Sequence, residues 1–205
     1  MIYLISPPKI SLDSFEPLLE SILQTGKISV FQLRLKECLD DEIIASANIL
    51  VRLCHKYSIQ FILNDRADLA KLVNADGVHI GKEDGSVENA RKILGPNKII
   101  GVSCYDSIDR AMEVGEAGAD YIAFGAFYPT TTKLNTAKPK IDILEQWTSI
   151  SVLPCVAIGG INQNNCKPLI KAGADLIAVV SNIWGSEDPV KATLELAASC
   201  EKTTS

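Results

Sequence analysis

Eight short, almost continuously apolar segments recur from one end of the chain to the other, and their order limits the folds it can adopt. They are Ile2–Ile5, Val30–Arg34, Gln60–Leu63, Gly77–Ile80, Ile99–Val102, Tyr121–Phe124, Cys155–Ile158 and Leu176–Val180. Segments of about five residues with so few polar positions are typical of strands buried on both faces, as in a parallel sheet. Helical patterns lie between them, so the order predicts an α/β fold built from repeated strand–helix units.

The segments between the predicted strands, and a short internal repeat that we call the internal echo, limit the α/β folds that are possible. In Asp41–Tyr57 the apolar residues follow the i, i+3, i+4, i+7 spacing of an amphipathic helix. The segment Ala117–Ala123 recurs as Ala172–Ala178, and Asn74–Val78 is a weaker copy. Each copy marks a helix end that turns into a buried strand. Eight such units predict a (β/α)₈ TIM barrel, with an open flavodoxin-like sheet as the alternative.

Length and composition favour a single domain over residues 1–205, with a polar tail expected to fray over 200–205. The chain has 20 Lys and Arg against 25 Asp and Glu, and this net charge of -5 argues against nucleic acid as a partner. No apolar run approaches the roughly 18 residues of a membrane span, and no secretory signal is evident, so no membrane partner is expected. The 6 cysteines are widely spaced and are expected to be reduced, in a cytoplasmic protein.

Polar residues gather where the predicted strands end, which in barrels is the edge that carries chemistry. Arg34, Lys36 and Lys133 would place cations around a shared mouth and suit a pyrophosphate. Asp65 and Asp84 are hard oxygen donors of the kind that Mg²⁺ takes together with phosphate oxygens. Because carboxylates repel a phosphate unless a cation lies between them, the pattern predicts a magnesium site.

A second phosphate site is expected after strands seven and eight. Gly159-Gly160 follow strand seven, and Ser181 follows strand eight. Many barrels bind a phosphate at these two positions through backbone N–H groups. Two anion sites on one rim predict an enzyme that acts on two small phosphorylated substrates.

Each of these features also has a purely structural interpretation. Arg34 and Lys36 could begin a solvated helix, and Asp65 could cap the next one. His79 is interpreted as a histidine packed inside the barrel rather than as a catalyst. The glycine pair could be a tight turn, and Thr130–Thr132 an ordinary loop. Their joint placement on one edge favours the functional interpretation.

Eight motifs follow one another in a characteristic order: Q-L-R-L-K, N-D-R-A-D-L-A, A-D-G-V-H-I-G-K-E-D, G-V-S, G-A-D-Y-I-A-F-G, P-T-T-T-K, A-I-G-G-I and G-A-D-L-I-A-V-V-S-N-I. Together they span nearly the whole chain, which resembles the thiamine phosphate synthase family. The resemblance implies a magnesium-dependent transferase that condenses hydroxymethylpyrimidine pyrophosphate with hydroxyethylthiazole phosphate. The products would be thiamine phosphate and pyrophosphate, with pyrophosphate leaving before the thiazole nitrogen attacks.

The resemblance also implies roles for individual positions. The pyrimidine substrate and its pyrophosphate would be bound by Gln32, Arg34, Lys36, Asn64, Ser103 and Lys133. The thiazole phosphate would be bound by Thr130, Thr132, Gly160, Val180 and Ser181. The catalytic groups acting on the departing pyrophosphate would be Arg34, Lys36, Ser103 and Lys133, and the magnesium ligands Asp65 and Asp84.

Three departures from the family pattern concern details of substrate binding. Lys82 stands where the family often has Gln, and Tyr105 stands where His is frequent. The loop Leu134–Lys140 is basic and lacks the glycine often found there.

Other functions remain as alternatives. The sister family of thiazole tautomerases shares the barrel but is known for a catalytic His in the strand-six segment, where this chain has Ala126. A sugar-phosphate epimerase or isomerase barrel and a non-catalytic barrel that binds a phosphorylated metabolite are two further candidates. The sequence leaves open whether the chain forms a homo-oligomer.

Overall fold

The computed structural model describes residues 2–130 and 138–201, and within them eight parallel strands close into a barrel. The strands are β1 (Ile2–Ile5), β2 (Ile28–Leu33), β3 (Gln60–Asn64), β4 (Gly77–Ile80), β5 (Ile99–Tyr105), β6 (Tyr121–Gly125), β7 (Cys155–Ile158) and β8 (Leu176–Val179). Each strand pairs with the next in sequence, and β8 pairs with β1. This closure confirms the predicted (β/α)₈ barrel and excludes the open sheet.

Helices cover the outside of the barrel between successive strands. They are α1 (Leu12–Leu23), α2 (Asp40–Lys56), α3 (Ala67–Leu72), α4 (Val87–Leu94), α5 (Ile108–Glu116), α6 (Asp142–Ile150), α7 (Cys166–Lys171), α8 (Ser181–Trp184) and α9 (Pro189–Cys200). The short α8 is additional to one helix per strand and lies directly after β8. In α9 the carboxylate of Asp188 accepts a hydrogen bond from the Lys191 N–H at 2.9 Å, so this side chain caps the helix that Pro189 begins.

Strand boundaries differ from the prediction chiefly at β2 and β5. The expected segment Val30–Arg34 was wrong at both ends, because β2 runs over Ile28–Leu33. The polar Ser29 interrupts the apolar run, and the pairing of β2 with β1 shifts its register there, between the pairs Ile2–Ile28 and Tyr3–Val30. At the other end, Arg34 leaves the strand. β5 continues to Tyr105, past a register irregularity between Ser103 and Tyr105.

The core has two parts that follow from the alternation of side chains along each strand. The larger part lies between the strands and the helices and includes Ile2, Leu4 and Phe31. A smaller cluster fills the barrel interior and includes Tyr3 and Ile5 of β1. Thus β1 is apolar on both faces although it directs alternate residues to two different environments.

The three aspartates of the internal echo join neighbouring strands near the end at which the strands begin. In each case a carboxylate oxygen accepts a hydrogen bond from the backbone N–H of a residue on the preceding strand: Asp76 from Phe61 at 2.7 Å, Asp120 from Ile100 at 2.7 Å, and Asp175 from Cys155 at 2.8 Å. The backbone N–H of each aspartate donates in return to the carbonyl of the same residue. The echo is therefore a repeated connection between strands.

No helix within residues 2–130 and 138–201 has both the length and the apolarity needed to cross a membrane. All six cysteines are free thiols, and Cys38 alone among them is not buried. Cys200, where the fraying tail was expected to begin, is buried as the last residue of α9, whereas residues 202–205 lie outside the described part of the chain.

Candidate active site

One cavity of about 1170 Å³, counting the space open at its mouth, lies at the end of the barrel where the strands terminate. It brings together all the predicted site residues that the structure describes: Gln32, Arg34, Lys36, Asn64, Asp65, Asp84, Ser103, Thr130, Gly160, Val180 and Ser181. Thr132 and Lys133 lie outside the described residues. These predicted residues lie at the ends of seven of the eight strands, β2 to β8, as the sequence pattern predicts.

Two cations and two carboxylates lie on one side of this cavity. Lys36 Nζ is 2.6 Å from Asp65 Oδ2, and both side chains remain partly exposed. Burial lowers the pKa of Arg34 below its usual value, and the negative charges of Asp65 and Asp84 oppose that shift. Arg34 thus lies within the electrostatic influence of both carboxylates.

Backbone contacts fix the segment that carries these cations. The Arg34 N–H donates to Ser6 Oγ at 2.9 Å, and the Lys36 N–H donates to the carbonyl of Pro8 at 2.9 Å. Both acceptors belong to the segment that follows β1. The chain after β2 is therefore held against the chain after β1, and this contact orients both cationic side chains.

The two carboxylates are positioned by local backbone geometry. Asp65 has a φ of 65°, a conformation that Asp adopts more readily than most residues, and its N–H donates to the carbonyl of His79 at 2.8 Å. Asp84 Oδ2 accepts a hydrogen bond from the Gly81 N–H at 2.9 Å. A Cβ atom on residue 81 would lie 2.6 Å from that oxygen, so glycine allows the carboxylate to approach the backbone.

The donor set fits magnesium only together with a phosphorylated ligand. Within the described residues, no group of three or more His, Cys, Asp or Glu side chains is arranged to hold a metal ion. Mg²⁺ usually takes one or two carboxylates and completes its shell with water and substrate phosphates. Asp65 and Asp84 could supply the two carboxylates, and the neighbouring cations Arg34 and Lys36 could bind the phosphate groups.

The floor of the cavity contains a buried amide, His79 and two tyrosines that the sequence pattern did not indicate as site residues. Gln32 is 2% exposed, and its Nε2 has no hydrogen-bond partner among the described residues. Beside it, Tyr3, Tyr121 and His79 also line the cavity. His79 is packed in the barrel, as expected, but it also reaches a predicted site residue, because its Nε2 lies 2.9 Å from Ser103 Oγ.

One feature of the sequence could have indicated that Tyr121 belongs to the cavity. In the internal echo, Tyr121 occupies the position that is Leu176 in the second copy, so one of two equivalent inward positions is polar. The hydroxyl group of Tyr121 lies 2.7 Å from that of Tyr3 and 2.9 Å from His79 Nδ1. The substitution of a tyrosine for an aliphatic residue inside a barrel indicates a hydrogen-bonding role.

The opposite side of the cavity is built from backbone. Gly159 and Gly160 have φ values of 105° and 62°, which favour glycine, and a Cβ atom on Gly160 would clash with the carbonyl of Pro129. Val180 and Ser181, at the start of α8, line the same cavity. This arrangement matches the phosphate site that many barrels form after strands seven and eight.

Comparison with known proteins identifies the family. Residues 2–183 match the family model described as thiamine monophosphate synthase. Thiamine-phosphate synthases of Hyphomonas neptunium and Rhodospirillum centenum are 45% and 44% identical to the chain. Those alignments cover 91% and 89% of this chain and 87% and 88% of the relatives. The structure of a thiamine phosphate pyrophosphorylase from Pyrococcus furiosus has a TM-score of 0.86 at 35% identity, covering 100% of this chain and 96% of that one.

The chain belongs to the thiamine monophosphate synthase family. It is an enzyme, and the resemblance found in its eight motifs is confirmed. Because residues of those motifs line the cavity, we take the cavity as the candidate active site of this family member.

Two of the three departures from the family pattern, Lys82 and Tyr105, can now be located, whereas residues 134–137 of the loop Leu134–Lys140 lie outside the described residues. Tyr105 lines the cavity with a φ of 58°, and its hydroxyl accepts a long hydrogen bond of 3.4 Å from the Lys82 N–H. The Lys82 side chain is exposed and is not among the residues that line the cavity. Ala126 does line it, and its methyl group offers no proton-transfer chemistry where the tautomerases are expected to have His.

Proposed function

We propose that the chain joins hydroxymethylpyrimidine pyrophosphate to hydroxyethylthiazole phosphate, releasing pyrophosphate and forming thiamine phosphate in a magnesium-dependent reaction. The observation that carries this proposal is the composition of the cavity. Cations and carboxylates line one side, the glycine pair and the start of α8 line the other, and a buried amide lies at the floor. Two phosphorylated heterocycles would occupy such a cavity with their ring systems adjacent.

The pyrimidine substrate would place its ring against Gln32 and its pyrophosphate toward Arg34 and Lys36. The unpaired Gln32 amide can hydrogen-bond a ring nitrogen, which removes the free-energy penalty of leaving a buried polar group unsatisfied. Arg34 can contact two phosphate oxygens at once, whereas Lys36 acts as a compact charge. Asn64 and Ser103 line the same part of the cavity and can donate further hydrogen bonds.

The chemistry of the leaving group follows from these charges. As pyrophosphate departs, negative charge grows on it, and fixed cations stabilise that charge more than they stabilise the bound substrate. Asp65 and Asp84 would hold Mg²⁺, which when bound would supply further charge to the phosphate oxygens. Lys133 would add a cation from the segment outside the described residues.

The thiazole phosphate would be held on the backbone side of the cavity by Gly160, Val180 and Ser181, with Thr130 and Thr132 contributing hydroxyl groups. The electron-rich aminopyrimidine can carry a positive charge on its exocyclic methylene once pyrophosphate has left. The thiazole nitrogen then captures that carbon, so no general base is needed. A dissociative route therefore suits a cavity rich in cations.

The proposal is tested by incubating the enzyme with both substrates and magnesium and identifying the products by mass spectrometry. We expect thiamine phosphate to accumulate together with an equal amount of pyrophosphate. Tautomerisation of a thiazole phosphate without either product would overturn the proposal in favour of a tautomerase. Binding of the phosphorylated compounds without any turnover would indicate a non-catalytic barrel instead.

A further inference from the structure

A continuous series of hydrogen bonds crosses the floor of the cavity from β1 to β5. The Tyr3 and Tyr121 hydroxyl oxygens are 2.7 Å apart, Tyr121 Oη is 2.9 Å from His79 Nδ1, and His79 Nε2 is 2.9 Å from Ser103 Oγ. Ring contacts support the same arrangement. The Tyr3 and Tyr121 rings meet edge to face at 5.9 Å, and His79 stacks on Tyr121 at 5.6 Å. Four strands thus contribute one side chain each.

Tyr3, at one end of the series, determines which group donates and which accepts in each hydrogen bond. Tyr3 is 2% exposed, and within the described residues Tyr121 is the one hydrogen-bond partner of its hydroxyl group. A buried hydroxyl that only accepted would leave its proton unpaired, which costs more than an unused lone pair. Tyr3 therefore donates to Tyr121. Burial also raises the pKa of both phenols, so each keeps the proton that it donates.

The remaining protons are then determined in turn. Because Tyr121 accepts from Tyr3, its own proton goes to His79 Nδ1. A neutral histidine whose Nδ1 accepts must carry its proton on Nε2. That N–H donates to Ser103 Oγ, so the hydroxyl proton of Ser103 is left to point at a ligand in the cavity.

We propose that the series Tyr3–Tyr121–His79 is a positioning device that fixes His79 as the Nε2–H tautomer and makes the Ser103 hydroxyl a donor toward an anion in the cavity. Tyr3, Tyr121 and His79 are positioning residues, because they act on the reaction through Ser103. That the anion is the departing pyrophosphate rests on the proposed function; the tautomer and the direction of the hydrogen bonds do not.

The tautomer is read directly by nitrogen NMR of the ¹⁵N-labelled full chain at about pH 8, where histidine is ordinarily neutral. The chain has 2 histidines, His55 and His79, so one His79→Gln variant assigns the signals. We expect the Nδ1 of His79 to be of the unprotonated type and the Nε2 to be of the protonated type. A proton on Nδ1, or on both nitrogens, would overturn the proposal. This measurement needs no activity and stands even if the proposed reaction is wrong.

The effect on catalysis is tested by Tyr121→Phe, which removes one hydroxyl and keeps the ring. We expect kcat to fall about 10-fold with a smaller change in KM, the size expected for one misdirected hydrogen bond. In a Ser103→Ala background the same substitution should change kcat by less than about 2-fold, because the group that it positions is gone. Equal losses in both backgrounds would contradict the proposal.

Tyr57→Phe is the matched control. Its hydroxyl donates to Glu20 at 2.8 Å on the outside of the barrel, and neither residue lines the cavity. We expect Tyr57→Phe to keep the wild-type kcat and the wild-type His79 tautomer. In Tyr121→Phe, by contrast, the Nδ1 signal should shift as its donor is lost. An unchanged His79 spectrum in Tyr121→Phe would also contradict the proposal.

Discussion

Lys36 and Asp65, which follow adjacent strands of the barrel, form an ion pair with Nζ 2.6 Å from Oδ2. The pair places a cation expected to bind pyrophosphate directly beside a carboxylate expected to bind magnesium. Each residue partly neutralises the other before any ligand arrives. When a pyrophosphate and a cation bind together, the carboxylate can face the metal and the ammonium can face the phosphate, so the charges alternate in space.

Replacing either member of this pair should impair turnover severely. We expect Lys36→Ala and Asp65→Ala each to lower kcat by at least about 100-fold, the size typical of losing one preorganised group that stabilises developing charge. The measurement is the initial rate at saturating substrates and magnesium. Lys27→Ala, which removes an exposed lysine paired with Glu201 at 3.4 Å, is the control and should keep the wild-type rate. Near-normal rates in either site variant would show that the pair takes no part in the reaction.

The buried amide of Gln32 should matter for activity and not for stability. In Gln32→Leu the unpaired Nε2 is removed, so we expect the free energy of unfolding to stay the same or rise by up to about 1 kcal/mol. KM for the pyrimidine substrate should rise at least about 10-fold, because a hydrogen bond to the ring is lost. Urea unfolding and steady-state kinetics on the same sample check both. A clear loss of stability with normal kinetics would mean that Gln32 is a structural residue.

Much of this architecture could be predicted from the sequence, because burial on both faces leaves a strong signal. The eight apolar segments and the repeated Asp120 and Asp175 junctions identified the barrel, and barrel geometry alone placed polar residues such as Asp65 and Ser103 at one end. The strands are short, so errors were confined to their ends. Arg34, for example, lies just beyond β2.

The hydrogen-bond series on the cavity floor could not be predicted in the same way. Tyr3, His79 and Tyr121 come from three strands whose side chains meet only when the barrel closes in its particular register. A single tyrosine or histidine within an apolar strand is compatible with ordinary packing. The side chain that it meets across the barrel depends on the stagger between strands, and this stagger cannot be read from the residues of one strand.

The aspartates of the internal echo should contribute to stability. We expect Asp175→Ala to lower the free energy of unfolding by about 1–3 kcal/mol, because it leaves the Cys155 N–H without the acceptor at 2.8 Å. Asp175→Asn keeps a side-chain oxygen in place and should lose less than half as much. Asp109→Ala, at an exposed position on α5, is the control. Equal effects of the Ala and Asn variants would argue against the hydrogen bond as the cause.

Buried thiols should make the protein less stable in alkali. Burial raises the pKa of Cys104, Cys155 and Cys200 from 9.0 to about 12. The unfolded chain therefore releases these protons at lower pH than the folded chain, and the free energy of unfolding should fall as the pH rises above about 9. Urea unfolding at pH values from about 7 to about 10 measures this slope.

Two variants separate the thiols from other groups that titrate in alkali. Cys155→Ala should reduce the slope of stability against pH, since one buried thiol is removed. Cys38→Ala, at the one cysteine that is not buried, is the control for the removal of a thiol as such. If both variants keep the wild-type slope, the buried thiols do not account for the pH dependence.

An enzyme that binds both phosphorylated heterocycles in one cavity should release pyrophosphate only with the help of a metal. The decisive measurement is the initial rate of pyrophosphate release in four mixtures: each substrate alone with magnesium, both with magnesium, and both with a chelator. We predict sustained release only when both substrates and magnesium are present. Sustained release without the thiazole phosphate, or an unchanged rate in the chelator, would show that the cavity does not catalyse this magnesium-dependent condensation.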